Sequence, residues 1–513
     1  MSQESEETSY EDAPDKENAT ATSPAPVAPA SSPAGAGGLV PPPSRRPAVG
    51  SGGPRLALAL GVGKLAGSTG RMLKVGGGTS LPGMIARFID PGVLRKVIGA
   101  SKAQKIAVTG SNGKTTTSNM LAAIGQANER KVSYNRTGAN MLQGVTTVAV
   151  NAANLRGELD DDMLVIEVDE GTFPLAIPEI NPDVVVVNNI FRDQLDRYGE
   201  LYKVAKALER VLRSLPATAS VVLNADDPLV ANFAPDMAAR RLFFGLEAKD
   251  LGGTVPEHAA DTVRCVRCQS YFEYDAVYIS HLGAYRCSNC GYSRPKLDVA
   301  LVAAEMKPQG PTTVTVRTPA GGVSLSMPLL GIHNVYNVTA ALAGAYALGL
   351  DLSRAAAGLA QIKPAFGRLE PIKAGDQTVY LSFVKNPTSY NTILKTIQDW
   401  PEQKHVLVAA SNTVVDGEDF AWFWDVEIEE IAHELVSVTC SGLKAEELAM
   451  RFKYAGIPEE KLEIIHDRPA ALSAGLRKAG PGGSLFIFAG YTPTLELRRA
   501  MTDRGWVPHV WEE

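Results

Sequence analysis

The residues that most clearly suggest a chemical function are TGSNGKTTT at positions 109–117, which follow an apolar run and precede a helical pattern. Backbone N–H groups at such a helix start, together with the positive end of the helix dipole, are suited to holding phosphates. We expect Lys114 to contact the β- and γ-phosphates of ATP and Thr115 or Thr116 to hold Mg²⁺. The rest of the expected cradle consists of Gly110, Ser111, Asn112 and Gly113.

This phosphate-loop pattern is incomplete, because Val108 stands where the strict motif has its first glycine. The alternative interpretation is a chance turn on a Rossmann-like unit. A strand before the motif and a helix after it are the context that such a motif requires. We therefore favour a nucleotide site.

A second group of residues with defined chemistry is a pair of cysteine knuckles, Cys265-x2-Cys268 and Cys287-x2-Cys290. Two such knuckles at this spacing supply four thiolates for a tetrahedral Zn²⁺ site. With four protein ligands no position stays open for water, so the expected zinc is structural. Four unmetallated thiols are the alternative. A nucleic-acid-binding ribbon is disfavoured, because the residues between the knuckles are aromatic but not basic.

The elements that must position these groups alternate between strands and helices. Apolar runs such as KIAVTG, MLVIEVDE, DVVVVNNI and ASVVLNADD are bounded by polar turns and separated by helical patterns. Continuous apolar strands alternating with helices indicate an α/β fold with a parallel sheet. The cysteine segment, residues 259–295, interrupts this rhythm as an insertion, and a second α/β unit of Rossmann-like type begins near residue 371.

Composition restricts the class of protein further. The 513 residues carry a formal net charge of −6, which argues against a general nucleic-acid binder. No apolar run reaches the roughly 18 residues needed to cross a bilayer. Residues 1–53 are rich in Ala, Pro, Ser and Gly, begin with acidic residues, and are expected to form a disordered tail rather than a signal peptide. We therefore expect a cytoplasmic protein.

With these motifs in place, the chain resembles the Mur ligase superfamily, whose phosphate loop has the form TGxNGKTT. The resemblance implies an ATP-dependent ligase domain over residues 54–370 and a C-terminal domain over residues 371–513. It also implies roles for five positions of this sequence. Glu167 would bind Mg²⁺ with Thr115, Asn334 and Asn337 would face adenine, and Arg368 would contact the nucleotide. NIFRDQLD at residues 189–196 departs from the family pattern, because Gln194 replaces a metal-binding histidine.

The C-terminal segments SFVKNPTSYN and DGEDFAWFWD resemble a branch of this superfamily that amidates a carboxylate. The resemblance implies amidation of the α-carboxylate of D-glutamate in the stem peptide of lipid II. It also implies a heterodimer with a GatD-type glutaminase that supplies ammonia, and transient access to the inner membrane surface through the lipid substrate. Asp419 would complete the catalytic triad of that glutaminase. Asp416 and Asp425 are the alternatives, and a plain turn residue is the competing interpretation of Asp419.

The expected reaction is transfer of the γ-phosphate to the substrate carboxylate, followed by displacement of phosphate by ammonia. Cys440, in SVTCSG, reads as a buried strand cysteine rather than as the nucleophile of a glutaminase. Two other functions stay open. One is a Mur-type ligase that adds a free amino acid. Against this function, Ser382 lies near the position where the family has an aspartate in its C-terminal domain. The other is a non-catalytic zinc-ribbon adaptor that binds ATP.

Overall fold

The computed structural model describes residues 53–72, 80–135, 138–193, 201–364, 367–413 and 416–508. The tail expected over residues 1–53 lies outside these ranges except for Gly53, and so does Gln194. Within the described residues, no helix is long and apolar enough to cross a membrane.

Strands of the described residues are numbered in chain order. They are β1 Gln104–Thr109, β2 Val132–Tyr134, β3 Met163–Glu167, β4 Val184–Val187, β5 Ser220–Asn224, β6 Arg240–Leu246, β7 Glu273–Ile279, β8 Leu282–Arg286, β9 Val299–Met306, β10 Thr312–Thr318, β11 Gly321–Met327, β12 Arg368–Ala374, β13 Gln377–Phe383, β14 Lys404–Ala410, β15 Leu435–Gly442, β16 Leu462–Ile464 and β17 Ser484–Ala489.

The α-helices are numbered in the same way. They are α1 Pro54–Met72, α2 Leu81–Ile89, α3 Lys114–Ala127, α4 Leu142–Ala152, α5 Phe173–Ile180, α6 Leu201–Arg213, α7 Pro228–Ala231, α8 Ile332–Ala347, α9 Ala355–Leu359, α10 Pro387–Gln398, α11 Ala445–Tyr454, α12 Arg468–Ala479 and α13 Tyr491–Asp503. A π-helical turn, Arg95–Gly99, follows α2.

The first sheet has nine strands in the order β11-β10-β9-β6-β5-β4-β1-β3-β2. Strands β1 to β6 and β9 are parallel to one another, and β1 lies between β4 and β3. Strands β10 and β11 form an antiparallel edge. Ile106 and Val108 of β1 enter one apolar core, whereas Ala107 enters the core on the opposite face. Both faces are covered, which explains why these strands read as continuous apolar runs.

The second sheet has the order β12-β13-β17-β14-β15-β16 and is parallel except for the antiparallel pair β12–β13. Residue 371, the expected start of the C-terminal domain, lies within β12. Along the chain, β14 is followed outward by β15 and β16, and the chain then returns to place β17 on the other side of β14. The carboxyl ends of β14 and β17 therefore flank a topological switch point, where α/β proteins bind ligands.

The cysteine segment contains the antiparallel hairpin β7–β8. This hairpin is anchored on the first domain, because Tyr278 donates a hydrogen bond to Leu246 O at 3.0 Å. His281, at the hairpin turn, is fully buried and packs edge-on against Phe191 at 5.1 Å. The insertion is thus attached next to residues 189–193, close to the expected nucleotide site.

Candidate active site

The segment 110–113 forms a tight loop between β1 and α3, in agreement with the sequence. Gly110 and Gly113 have positive φ values of 129° and 84°. A Cβ atom on Gly113 would lie only 2.1 Å from Asn337 Oδ1, so a side chain there would collide with α8. Gly113 therefore lets the loop pass tightly against α8 where α3 begins, and the start of such a helix is where phosphates bind.

Lys114 lies at the start of α3 and is buried. Its Nζ donates hydrogen bonds to Gly110 O at 2.5 Å and Ser111 O at 3.3 Å, and it forms a 2.8 Å ion pair with Glu170. Burial acts to lower the pKa of Lys114, but the nearby carboxylates, Glu170 foremost, outweigh it and raise the pKa. The lysine is therefore charged, and its side chain folds back over the loop that is expected to bind phosphates.

Glu167 ends β3 and is buried beside this lysine. Its Oε1 accepts a hydrogen bond from Asn140 Nδ2 at 2.7 Å, whereas Oε2 is buried and accepts none of ordinary geometry. A Cβ atom on Gly138 would lie 3.3 Å from Thr115 Oγ1 and 3.8 Å from Glu167 Oε2. Thr115 and Glu167 thus lie close together, and a hydroxyl and a carboxylate are oxygen ligands of the kind that hold Mg²⁺. Thr116, the alternative ligand, is buried on α3.

Burial raises the pKa of Glu167, and Lys114 and Asn140 oppose this shift. An isolated buried carboxylate is costly. The site thus leaves a desolvated negative charge that a bound cation would stabilise.

Asparagines from the segment after β4 and from α8 surround the loop. Asn112 N donates to Asn189 Oδ1 at 2.8 Å, and Asn188 Nδ2 donates to Thr117 Oγ1 at 3.0 Å. On α8, Asn337 Nδ2 donates to Asn334 Oδ1 at 3.1 Å. The structure therefore brings both α8 asparagines together and sets Asn337 against the phosphate loop at Gly113.

Arg368, the expected nucleotide contact, begins β12. Its Nη1 donates to Phe383 O at 3.2 Å, and its guanidinium lies 5.1 Å from the centre of the Phe383 ring. Burial lowers the pKa of Arg368, and the charges of Glu167 and Asp193 oppose this. Arg368 and Lys114 therefore share one neighbouring carboxylate, that of Glu167.

The structure adds residues that the sequence did not single out. Lys385, just after β13, forms an ion pair with the buried Asp193 and helps Lys114 to lower the pKa of Glu170, against the effect of burial. Asn386 caps α10 and exchanges amide contacts with Asn112 at 3.3 and 3.5 Å. The second domain thus brings a lysine and a helix N-terminus to the phosphate loop. The sequence Lys385-Asn386-Pro387 is recognisable in the C-terminal domain, but it does not by itself predict a role at the phosphate loop.

The three candidate triad carboxylates have different surroundings. Asp416 accepts hydrogen bonds from Ser411 Oγ and Thr413 Oγ1, both at 2.6 Å, and from Thr492 N at 2.8 Å. These bonds lower its pKa although burial acts to raise it. Asp416 therefore lies in a structural network.

The other two carboxylates lie nearer the surface. Asp425 pairs with Arg192 at 3.2 Å. Asp419 is exposed, and its Oδ1 accepts a hydrogen bond from Ala421 N at 2.8 Å, as in an ordinary turn. Of the three, Asp419 has the carboxylate most accessible to another chain.

The four cysteines converge as the sequence predicts. All four sulfurs lie within 4.8 Å of one another, with Cys265–Cys290 at 3.5 Å and Cys268–Cys287 at 3.4 Å. Zn–S bonds of about 2.3 Å in a tetrahedron require sulfur separations of this size. The cluster therefore fits a single metal ion.

Comparison with known proteins agrees with this architecture. Residues 108–345 match the family model "Mur ligase middle domain" and residues 383–494 match "MurT ligase C-terminal". The chain is 30% identical over 447 residues to "lipid II isoglutaminyl synthase (glutamine-hydrolyzing) subunit MurT" of Streptococcus pneumoniae. That match covers 86% of this chain and 97% of the relative.

Solved structures support the same fold. A pseudomurein peptide ligase type C from Methanothermus fervidus has a TM-score of 0.61 at 21% identity, with 80% of this chain and 81% of that chain covered. The MurF ligase of Thermotoga maritima, solved with ADP, has a TM-score of 0.57 at 18% identity, with 84% and 86% covered. The fold is that of a Mur ligase-type enzyme, a class of ATP-dependent ligases. Within that class, the chain belongs to the MurT family.

Proposed function

We propose that this chain is the synthetase subunit of a lipid II isoglutaminyl synthase, which converts the α-carboxylate of D-glutamate in the stem peptide to an amide with ATP. The observation that carries this proposal is the contact between the phosphate loop and the MurT-type domain. Lys385 pairs with Asp193, and Asn386, which caps α10, contacts Asn112 of the loop. The relative from Streptococcus pneumoniae is named as the MurT subunit of such a synthase. We also propose the domain limits 54–370 and 371–513.

In this proposal the loop 110–113 and the first turn of α3 bind the triphosphate through backbone N–H groups. Lys114 leaves Glu170 and moves its charge onto the β- and γ-phosphates, where it stabilises the charge that develops during transfer. Asn334, Asn337 and Arg368 hold the nucleoside side of ATP. These residues position the γ-phosphate for in-line attack by the substrate carboxylate.

Thr115 and Glu167 would hold Mg²⁺, which supplies charge neutralisation on the phosphate oxygens when bound. Asn140 orients the Glu167 carboxylate by donating to its other oxygen. Lys385 and the N-terminus of α10 offer positive charge on the side of the second domain, where we place the acyl phosphate. Attack by ammonia on the acyl carbon then breaks its bond to the phosphate oxygen.

We infer that ammonia comes from elsewhere, because Cys440 is the one cysteine of the described residues outside the four-cysteine cluster and it is not suited to act as a nucleophile. Cys440 is fully buried on β15, and burial raises the pKa of its thiol to about 12. A reactive cysteine requires the opposite shift. We propose a GatD-type glutaminase as partner in a heterodimer, with Asp419 oriented towards its catalytic histidine.

The function is tested by incubating the purified chain with ATP, Mg²⁺, lipid II and ammonium. We expect ATP-dependent formation of the amide, detected by mass spectrometry. Glutamine should replace ammonium only when the glutaminase is added. Incorporation of a free amino acid would instead identify an amino-acid-adding ligase, and ATP binding without substrate-dependent turnover would identify an adaptor.

We propose that the four-cysteine cluster binds structural Zn²⁺, and we predict about one zinc per chain because four thiolates close the coordination shell. Cys265→Ser should lower the thermal stability of the protein and its zinc content together. Cys440→Ser is the control for zinc content, because Cys440 lies on β15, outside the cluster, and its loss should leave the zinc in place. Elemental analysis and thermal unfolding test this. Freshly purified protein without zinc would contradict it.

A further inference from the structure

The turn that follows β5 carries two buried carboxylates, Asp226 and Asp227, which the proposed mechanism does not use. Asp227 Oδ2 accepts a hydrogen bond from Ile190 N at 2.9 Å. Just before the turn, Asn224 Nδ2 donates to Asn188 O at 2.8 Å. The end of β5 and its turn therefore support the segment after β4, whose asparagines contact the phosphate loop.

Asp226 connects the same turn to α8. Its Oδ2 accepts hydrogen bonds from Tyr336 Oη and from Leu246 N, both at 2.8 Å. Tyr336 lies on α8 between Asn334 and Asn337, and two residues correspond to about 200° around a helix. Because Tyr336 and Asn334 thus lie on nearly opposite sides of α8, the bond to Asp226 helps to fix the rotation of the helix that presents both asparagines.

The charge of Asp226 is balanced by the cysteine segment. Arg294, which follows the second knuckle, forms a 2.9 Å ion pair with Asp226 and donates to Leu246 O at 2.7 Å. Asp226 is fully buried, and burial raises its pKa, whereas the charge of Arg294 is the largest effect that opposes this shift. Removing one partner of a buried pair leaves an uncompensated charge. Loss of Arg294 therefore disturbs the carboxylate that holds Tyr336.

A second contact joins the cysteine segment to α8. The ring of Tyr278, on β7, packs edge-on against the ring of Tyr336, with 6.3 Å between the ring centres. Tyr278 lies between the two cysteine knuckles, and Arg294 lies just after them. The insertion therefore meets Tyr336 both directly and through Asp226.

We propose that Arg294 and Tyr336 are positioning residues for the nucleoside side of ATP. Arg294 balances the charge of Asp226, which in turn holds Tyr336. With Tyr336 held, α8 presents Asn334 and Asn337 to the nucleoside. The inference rests on the proposed function, which assigns these two asparagines to ATP. It gives the cysteine segment a role in nucleotide affinity besides the proposed structural role.

The first test is the dissociation constant of MgATP for Tyr336→Phe, measured by calorimetry on the purified full chain. This change removes the hydroxyl that bonds Asp226 and keeps the ring. The constant should rise about 2- to 30-fold, the range over which residues that touch neither site modulate coupling. Tyr285→Phe is the matched control, because it removes a buried tyrosine hydroxyl of the cysteine segment that bonds Tyr292 instead of Asp226. The control should bind MgATP as the wild type does.

The second test concerns the ion pair. Arg294→Met leaves Asp226 without its partner and should weaken MgATP binding at least as much as Tyr336→Phe does. Because an unpaired buried carboxylate also destabilises the fold, Asp226→Asn/Arg294→Met is measured beside it. The double variant has no buried charge, and its asparagine oxygen still accepts the Tyr336 bond, so the affinity should return towards that of the wild type. Arg286→Met, which removes an exposed arginine paired with Glu273 at 2.9 Å, is the control.

Steady-state kinetics with ammonium as donor separate positioning from a general structural effect. In Tyr336→Phe, the KM for ATP should rise, whereas kcat at saturating ATP and the KM for the lipid acceptor should stay near the wild-type values. Equal MgATP affinity in wild type and Tyr336→Phe would overturn the inference. So would a parallel rise of both KM values, or a double variant that does not regain affinity. A wild-type chain that binds ATP without amidating lipid II would contradict the proposed function alone, and the dissociation constants would still decide on Arg294 and Tyr336.

Discussion

Replacing Lys114 with alanine is expected to lower ATP-dependent amidation by a factor on the order of 10²–10³, the usual effect of losing one charge contact to a transition state. The structure adds a second effect. Glu170 would lose its 2.8 Å partner in a buried environment, and breaking such a pair costs about 3–5 kcal/mol of stability. The measurements are the rate of ammonium-dependent amidation and the free energy of unfolding.

These two effects can be separated by design. In Lys114→Ala/Glu170→Gln the buried carboxylate is removed as well, so stability should recover while activity stays low. Lys206→Ala, which changes an exposed lysine on α6, is the control for loss of positive charge. Turnover close to wild type in Lys114→Ala would exclude the phosphate loop from the mechanism.

Asp419→Asn is expected to abolish most glutamine hydrolysis by the assembled complex while synthesis from ammonium continues. In the Ser-His-Asp triad, the corresponding change costs about 10⁴ in rate, because the carboxylate orients and charge-stabilises the histidine. Asparagine can still accept the Ala421 N–H bond, so the turn should survive and only the charge is lost. Both rates are measured on the same purified complex.

Asp416 and Asp425 provide comparisons with different expected outcomes. Asp416→Asn weakens a network of three hydrogen bonds and should lower stability. Asp425→Asn loses the ion pair with Arg192, which also bonds the insertion at Asp261. Unchanged glutamine hydrolysis in Asp419→Asn would reduce that residue to a turn position. A joint fall of both activities would assign it to folding.

Much of the fold could be predicted because local signals agreed with tertiary structure. The runs KIAVTG and DVVVVNNI are continuous and apolar, and β1 and β4 lie where these runs predict strands. The strand pair β12–β13 was missed. Its sequence, RLEPIKAGDQTVYLSF, is polar at many positions and contains Pro371, and proline usually argues against a strand except at a sheet edge, which β12 is.

Prediction of the candidate site from sequence is limited in the same way, to residues whose signals are local. Residues of the phosphate loop and the cysteine knuckles form short motifs whose chemistry is readable in one segment. Lys385 and Asp193 are 192 positions apart, and each is unremarkable alone. Only the packing of the two domains makes them a pair. Whether Asp419 serves a partner chain likewise depends on a contact outside this sequence.

The candidate site also carries a constraint on how nucleotide can bind. Glu167, Asp193 and Glu170 are buried carboxylates, and burial raises the pKa of the first two. Asp169 is a fourth buried carboxylate, and it also acts on Lys114. The three cations Lys114, Lys385 and Arg368 do not outnumber these carboxylates, so a triphosphate enters a site with no spare positive charge. By thermodynamic linkage, nucleotide affinity should then depend on the uptake of cations or protons, and each should tighten the binding of the other.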